Sequence, residues 1–260
     1  MNVIYEINPP KILHDSVINI NTVNQEIEKF LYRTHILSKN TNFIHITDSV
    51  LGIPRISSLH GAALITDYLK NDQLKISCSV RTRDRNINSL VQFATQAVYS
   101  KIKDLLFIMG DKPQLKNKVS EGKPLSKPTD VIKTLNSLGY SGLINLNLSI
   151  PNKIININNF NKKTQANPHG FITQSINSVQ EVKDIKSLLA PSPIKLIPCI
   201  MIPSEKNKQA AKMIGLDWKE YENDVLDFIL QVGKHVDHIL ITSPNSFSEG
   251  VDLLSKIKGF

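Results

Sequence analysis

Two apolar runs of this sequence each end beside a carboxylate: Asp104-Leu105-Leu106-Phe107-Ile108-Met109-Gly110-Asp111-Lys112-Pro113 and Val3-Ile4-Tyr5-Glu6-Ile7-Asn8-Pro9-Pro10. Prolines close both runs, and a proline cannot donate to a sheet ladder. If the two strands are parallel, Glu6 and Asp111 emerge on the same edge of one sheet, where α/β enzymes keep their chemistry. The pair therefore predicts a reactive site rather than a packing contact.

Strand-like apolar runs alternate with segments of helical period along the chain. The predicted strands lie near residues 3–7, 43–47, 74–80, 105–109, 143–148, 170–174, 194–202 and 238–242. The predicted helices include residues 25–31, 57–69, 159–166, 179–189, 208–213, 218–236 and 247–257, and two more begin at Asn86 and Pro128. Strands separated by helices need crossover connections, so the sheet is parallel. Eight such units predict a single (β/α)8 TIM barrel that spans residues 1–260 as one domain.

The composition excludes several classes of protein. No stretch reaches the ~18 consecutive apolar residues of a membrane span, and no basic segment followed by an apolar one opens the chain, so we expect a cytoplasmic protein without a membrane partner. The net charge is +8, but no basic cluster is interleaved with aromatic residues, so we expect small-molecule rather than nucleic-acid partners. Cys78 and Cys199 lie in apolar segments and are predicted to be buried free thiols.

The predicted strand ends carry hydrogen-bonding groups, and each has a structural alternative. Glu6 could pair with an arginine at the rim, and Asp111 could be a turn residue or a helix cap. The segment 83–86 (Arg-Asp-Arg-Asn) is interpreted as an ion-pair network that ends in the helix cap Asn86. His45 is interpreted as a structural histidine, and Gln174 as a buried amide that needs partners. No His, Cys or Asp cluster has metal-ligand spacing, so no metal site is predicted.

Four motifs, taken in order, resemble the methylenetetrahydrofolate reductase family. They are Tyr5-Glu6-Ile7-Asn8-Pro9-Pro10-Lys11, Arg81-Thr82-Arg83-Asp84-Arg85-Asn86, Met109-Gly110-Asp111-Lys112-Pro113 and Ile172-Thr173-Gln174. The family has Phe-Glu-Phe-Phe-Pro-Pro-Lys, Thr-Cys-Arg-Asp-Arg-Asn, Gly-Asp-x-Pro and Ile-Thr-Gln at the matching strand ends. The similarity extends over nearly the whole chain and implies a flavin-containing barrel.

The resemblance implies a role for both carboxylates. Glu6 matches the glutamate that acts as general acid and protonates the pterin nitrogen as the methylene bridge opens. Asp111 matches the aspartate near the flavin and the pterin, which stabilises the cationic intermediate. Such roles require Glu6 to keep its proton in a poorly solvated pocket and Asp111 to stay ionised. Gln174 matches the glutamine that binds the folate, and Met213 an aromatic position that packs against the folate or nicotinamide.

The resemblance also implies a flavin, FAD or FMN. The implied cofactor-binding residues are Thr47, Ser79, Met109, Gly110, Asp111, Asn147, Asn156, Asn159, Lys162, Lys163 and Ala166. Thr47 matches a threonine at the flavin ring, and the segment 156–166 matches the helix start that holds the ribityl and diphosphate parts. Met109 stands where many relatives have arginine, Ser79 where they have histidine, and Asn147 where they have an aromatic residue.

The predicted activity is reduction of 5,10-methylene-tetrahydrofolate, or a related tetrahydropterin, to the 5-methyl form by hydride transfer through the flavin. The electron donor is left open among NADH, NADPH, ferredoxin and a partner protein. One alternative is a flavin-independent reductase that uses NAD(P)H directly. Another is a non-catalytic pterin-binding barrel in a larger complex. Family resemblance further implies a homo-oligomer.

Overall fold

Eight parallel strands close into a barrel in the computed structural model, which describes residues 1–13, 17–114, 124–190 and 192–259. The strands are β1 (Asn2–Ile7), β2 (Phe43–Ile46), β3 (Lys75–Arg81), β4 (Asp104–Ile108), β5 (Asn145–Ile150), β6 (Gly170–Ser175), β7 (Lys195–Met201) and β8 (His238–Thr242). They pair in sequence order, and β8 returns to pair with β1. The predicted single (β/α)8 TIM barrel is confirmed.

Helices connect the strands over the outside of the barrel. They are α1 (Ile20–Ser38), α2 (Ser58–Leu69), α3 (Ile87–Tyr99), α4 (Pro128–Ser137), α5 (Ile157–Thr164), α6 (Val179–Leu189), α7 (Lys208–Ile214), α8 (Val225–Gly233) and α9 (Phe247–Lys258). Several begin at side chains that accept a backbone N–H three residues on, among them Asn19, Ser57, Asn86, Asn156 and Ser178. These caps satisfy a free amide of the first turn and so determine where each helix starts. None of the described helices is long and apolar enough to cross a membrane.

The helix predicted over residues 218–236 is wrong in its extent, because α8 starts at Val225 and ends at Gly233. The Asp224 side chain caps it, accepting the Asp227 N–H at 2.9 Å. The preceding segment folds as turns, since Tyr221 is buried and its ring stacks on Phe228 with 4.3 Å between centroids. Tertiary packing of one aromatic residue thus overrides the helical pattern.

The barrel interior is divided by an apolar layer formed by Ile4, Leu106, Ile172, Ile197 and Leu240. One cavity lies at the carboxyl ends of the strands and a second lies at their amino ends. We call them the mouth and the lower cavity. The larger apolar core lies outside the strands, between the sheet and the helices.

Candidate active site

The mouth is a cavity of about 980 Å³ at the carboxyl ends of the strands. That volume is in the range of small-molecule and cofactor sites. It is lined by seven of the residues predicted from the sequence, namely Glu6, Thr47, Ser79, Gly110, Asp111, Gln174 and Met213. The fold therefore brings both carboxylates of the opening motifs to one cavity, as parallel strands require.

Glu6 lies on the wall of the mouth near the end of β1. The Thr242 hydroxyl, from the neighbouring β8, donates to Glu6 Oε1 at 2.7 Å. Burial raises the pKa of the Glu6 carboxyl, and this Thr242 hydrogen bond opposes part of the rise. A carboxyl group in this environment retains its proton to higher pH than a solvated glutamate, which is the requirement for a general acid.

Asp111 is exposed in the loop after β4 and its carboxylate faces the mouth. Its Oδ2 accepts the Leu51 N–H at 2.8 Å, which holds Leu51 in a left-handed conformation with φ of 58°. Gly110 before it has φ of 79°, and a Cβ there would approach Arg81 Cγ to 2.7 Å. A glycine is therefore needed at position 110 to bring Asp111 around the Arg81 side chain.

The network predicted over residues 83–86 is present, but its centre is the buried Asp48. Asp48 Oδ2 accepts the Arg85 guanidinium at 2.6 Å and the Arg81 backbone N–H at 3.0 Å. The Arg81 guanidinium donates to the backbone oxygens of Ser49 and Asp111 at 3.1 and 2.9 Å. The network thus fixes the two loops that follow β2 and β4 around the mouth. Sequence reasoning missed Asp48 and Arg81, although both stood at predicted strand ends.

Thr47 and Ser79 contribute polar groups to the mouth from β2 and β3. The Thr47 hydroxyl donates to Asn8 Oδ1 at 2.7 Å, and the Ser79 hydroxyl lies 2.8 Å from His45 Nε2. His45 Nδ1 lies 2.6 Å from the Ser77 hydroxyl. Burial lowers the pKa of His45 to about 4, so the imidazole is neutral near pH 7. The interpretation of His45 as a satisfied structural histidine agrees with these contacts.

Gln174 lines the mouth but is exposed rather than buried as the sequence indicated. The pairing of β6 with β7 shifts register between Ile172 and Ser175. Such an irregularity re-aims side chains at the end of a strand. The preceding residue, Thr173, is buried instead, and its hydroxyl accepts the Cys199 N–H at 3.0 Å.

The remaining predicted flavin residues do not line the mouth: Met109, Asn147, Asn156, Asn159, Lys162, Lys163 and Ala166. Asn147 lines the lower cavity, and Ala166 lies in the outer core. The Asn156 side chain caps α5, and Lys163 Nζ donates to the Ser149 backbone oxygen at 2.5 Å. Asn159 and Lys162 are exposed on α5. Of the predicted flavin residues, Thr47, Ser79, Gly110 and Asp111 therefore line the mouth, and Met109, Asn147 and the segment 156–166 do not.

The side of the mouth next to α1 carries cationic groups that sequence reasoning did not single out. They are Lys11, Lys29, Arg33 and Arg55. The Arg55 guanidinium donates to the Pro9 backbone oxygen at 2.7 Å, and Arg33 stacks over the Phe247 ring at 5.1 Å. Glu26 lies 3.9 Å from Lys29. Such a wall favours a substrate with an acidic group.

Within the described part of the chain, no cluster of three or more His, Cys, Asp or Glu side chains could hold a metal ion. Cys78 and Cys199 are free and buried, as predicted. Burial raises the pKa of both thiols, so neither side chain is a ready nucleophile.

No family model matches the chain, and no curated protein matches its sequence. Solved structures do match in fold. The chain is similar to one described as "QR15, an Aldolase", with a TM-score of 0.55 and 12% identity over 97% of this chain and 92% of that one. It is similar to a chain of the tryptophan synthase complex from Pyrococcus furiosus, with a TM-score of 0.58 and 7% identity over 100% of this chain and 98% of that one.

A third similar structure is 2,3-dimethylmalate lyase, described as a PEP mutase/isocitrate lyase superfamily member. Its TM-score is 0.52 and its identity 10%, over 99% of this chain and 78% of that one. At these identities the likeness shows the TIM-barrel fold alone, since this fold hosts many unrelated reactions.

Proposed function

We propose that the protein is an oxidoreductase that reduces a methylene-tetrahydropterin to its methyl form at the mouth, with Glu6 as the general acid. The observation that carries the proposal is the environment of Glu6. Its carboxyl group lies at a strand end in the mouth, with a raised pKa and a threonine donor at 2.7 Å. The opening motifs resemble those of methylenetetrahydrofolate reductases at the same strand ends.

The ring of a flavin fits this mouth. Thr47, Ser79, Gly110 and Asp111 would hold it, since they line one cavity of about 980 Å³ with polar groups on its walls. When bound, a flavin supplies the hydride relay between an electron donor and the pterin. The donor is NAD(P)H, ferredoxin or another partner protein.

The chain's own residues handle the proton and the charge. Glu6 holds a proton at its carboxyl group and delivers it to the pterin nitrogen as the methylene bridge opens. Asp111 presents a carboxylate to the positive charge that develops on the substrate, and its bond to the Leu51 N–H keeps it in place. Gln174 offers an exposed amide to the pterin edge, and Met213 an exposed apolar side chain. The cations next to α1 suit the acidic tail of a folate or related pterin.

A flavin-independent reductase is the second candidate, and a specific observation favours it. Two of the residues that the resemblance assigns to the flavin diphosphate are engaged within the protein, since Asn156 caps α5 and Lys163 Nζ donates to the Ser149 backbone oxygen. In this version NAD(P)H occupies the mouth and Glu6 keeps the same role. Carbonyl chemistry through a Schiff base would instead require a lysine beside the substrate carbonyl. Of the described lysines, Lys11 and Lys29 line the mouth, and neither lies on a barrel strand.

The visible spectrum of the purified protein tests the proposal. The protein is incubated with FAD or FMN, desalted, and reduced with NADH, NADPH or ferredoxin before methylene-tetrahydrofolate is added. We expect a retained flavin that bleaches with a donor and recovers its colour with the pterin. Consumption of NAD(P)H that depends on the pterin, without any flavin absorbance, would establish the second candidate. No reduction of the pterin under any of these conditions would refute both.

A further inference from the structure

The lower cavity, at the amino ends of the strands, has the composition of a binding site. It encloses about 190 Å³, far more than the ~10–15 Å³ that holds one water. Its roof is the apolar layer of the barrel, and its rim carries Lys75, Lys103, Lys195, His169 and His238. The amino-terminal face of such a barrel ordinarily serves stability, and a ring of basic residues does not serve that end by itself.

The charge of this rim is unbalanced. None of the three lysines forms a salt bridge with an acidic side chain among the described residues. Burial lowers the pKa of His169, and Lys195 and Lys103 lower it further while Asp104 raises it. Burial likewise lowers the pKa of His238, with Lys195 and Lys75 acting in the same direction and Asp104 and Asp237 against it. The positive charge therefore comes from the three exposed lysines, and it would attract an anion to the rim.

Two acceptor groups face the same cavity. Asp104 accepts the Asn145 side-chain amide at 2.7 Å. The Asn147 side chain is 1% exposed, and its Oδ1 is buried without a hydrogen-bond partner among the described residues. An orphaned buried acceptor costs free energy and requires a donor from water or a ligand. Gly170 leaves room for the Asn147 side-chain oxygen, because a Cβ at position 170 would lie 2.9 Å from Asn147 Oδ1.

We propose that the lower cavity binds inorganic phosphate. Lysine ammonium groups at the rim would pair with its charged oxygens, while Asp104 or Asn147 would accept a P–OH hydrogen. Phosphate keeps such a hydrogen at neutral pH and sulfate has none. A phosphate monoester is larger and is mostly dianionic at that pH. The acceptors therefore select inorganic phosphate over both.

Isothermal titration calorimetry tests the site, with inorganic phosphate, sulfate and glycerol phosphate as probes at neutral pH and constant ionic strength. We expect saturable binding of one phosphate per chain, and binding of the other two anions weaker by about tenfold or more, the loss of one charge-assisted hydrogen bond. Lys195→Met and Lys103→Met should each weaken phosphate binding by about tenfold. Asp104→Asn should narrow the difference in affinity between phosphate and sulfate, because it removes the carboxylate that repels sulfate.

Matched variants locate the binding. Lys212→Met removes an exposed lysine of α7, and Arg33→Met removes a cation of the mouth, so neither should change the phosphate affinity. Circular dichroism and urea unfolding show which variants fold. Lys195→Met and Lys103→Met each measure the contribution of one rim lysine, so the test does not depend on a single variant. The proposal is overturned if the wild type shows no saturable phosphate binding, if sulfate binds equally well, or if both rim variants bind as the wild type does. Loss of binding in Arg33→Met alone would assign the anion to the mouth and overturn it as well.

Discussion

Removal of the Thr242 hydroxyl should raise the pKa of Glu6 further. Thr242→Val keeps the shape of the side chain and deletes the donor 2.7 Å from Glu6 Oε1. Hydrogen bonds to charged groups contribute about 1.5–3 kcal/mol, and 1.36 kcal/mol corresponds to about one pKa unit. We therefore expect the pKa of Glu6 to rise further, because its ionised form loses this stabilising donor.

The free energy of unfolding, measured by urea titration across pH, reports this pKa. A carboxyl group whose pKa is raised in the folded state binds more protons there than in the unfolded chain. Stability therefore falls as pH rises from the ordinary glutamate value to the folded pKa. In Thr242→Val the fall in stability should continue to higher pH than in the wild type. In reductase assays, the loss of activity at high pH should move in the same direction.

A double-mutant comparison isolates the effect. Glu6→Gln should abolish this part of the pH dependence, and adding Thr242→Val to it should then change nothing in the slope. Thr66→Val removes a hydroxyl that donates to the Ala62 backbone oxygen on α2 and serves as the matched control. If Thr242→Val leaves the pH dependence unchanged or moves it to lower pH, the hydrogen bond to Glu6 does not act as described.

Three further predictions concern other parts of the barrel. The His45 imidazole should titrate near pH 4 in NMR spectra, and a midpoint near 6.5 would contradict the buried neutral ring. Because the unfolded chain binds a proton at this histidine below its ordinary pKa of 6.5, the free energy of unfolding should fall as the pH decreases from 6.5 to about 4. Gly110→Ala should lower the free energy of unfolding by about 1–3 kcal/mol in urea titrations, because position 110 has a positive φ and a Cβ there would contact Arg81. An unchanged free energy of unfolding would mean that the loop adapts freely to the alanine. Cys78 and Cys199 should resist thiol reagents until the protein unfolds, and rapid labelling of the native protein would contradict their burial.

The strand order and the mouth could be predicted from the sequence because both follow from local patterns. Apolar runs separated by helical segments require crossovers, and parallel strands bring their carboxyl ends together. This reasoning predicts Glu6 and Asp111 at one edge of the sheet, and both line the mouth. Each strand prediction agrees with the observed strand to within two residues.

The depth of each side chain in the barrel was not predictable in the same way. Asn147 points inward on the same face of β5 as Asn145 and Ser149, yet it lines the lower cavity while Ser149 lines the mouth. Its level depends on the stagger of β5 against β4, where Asn147 pairs with Leu106, and stagger is a property of the closed barrel. The predicted extent of α8 is wrong for a related reason, since the burial of Tyr221 depends on contacts with residues distant in sequence.

The sequence contains a pattern that indicates the lower cavity. Basic residues stand at or just before the start of several strands, as in Lys75, Lys103, His169, Lys195 and His238. Conventional reasoning about barrels looks at strand ends for chemistry and treats strand starts as structural. Their convergence on one cavity depends on the register of the closed barrel.

The most direct test of the central claim is a comparison of the two half-reactions in Glu6→Gln. Flavin-loaded protein is reduced by its donor, and then reoxidised by methylene-tetrahydrofolate in a stopped-flow spectrometer. Glu205→Gln, at an exposed glutamate paired with Lys208, is the control. We expect Glu6→Gln to bleach at the wild-type rate and to lose pterin-dependent reoxidation by about 10²–10⁴-fold, the contribution of a general acid. Reoxidation at the wild-type rate, or an equal loss in both half-reactions, would contradict the role assigned to Glu6.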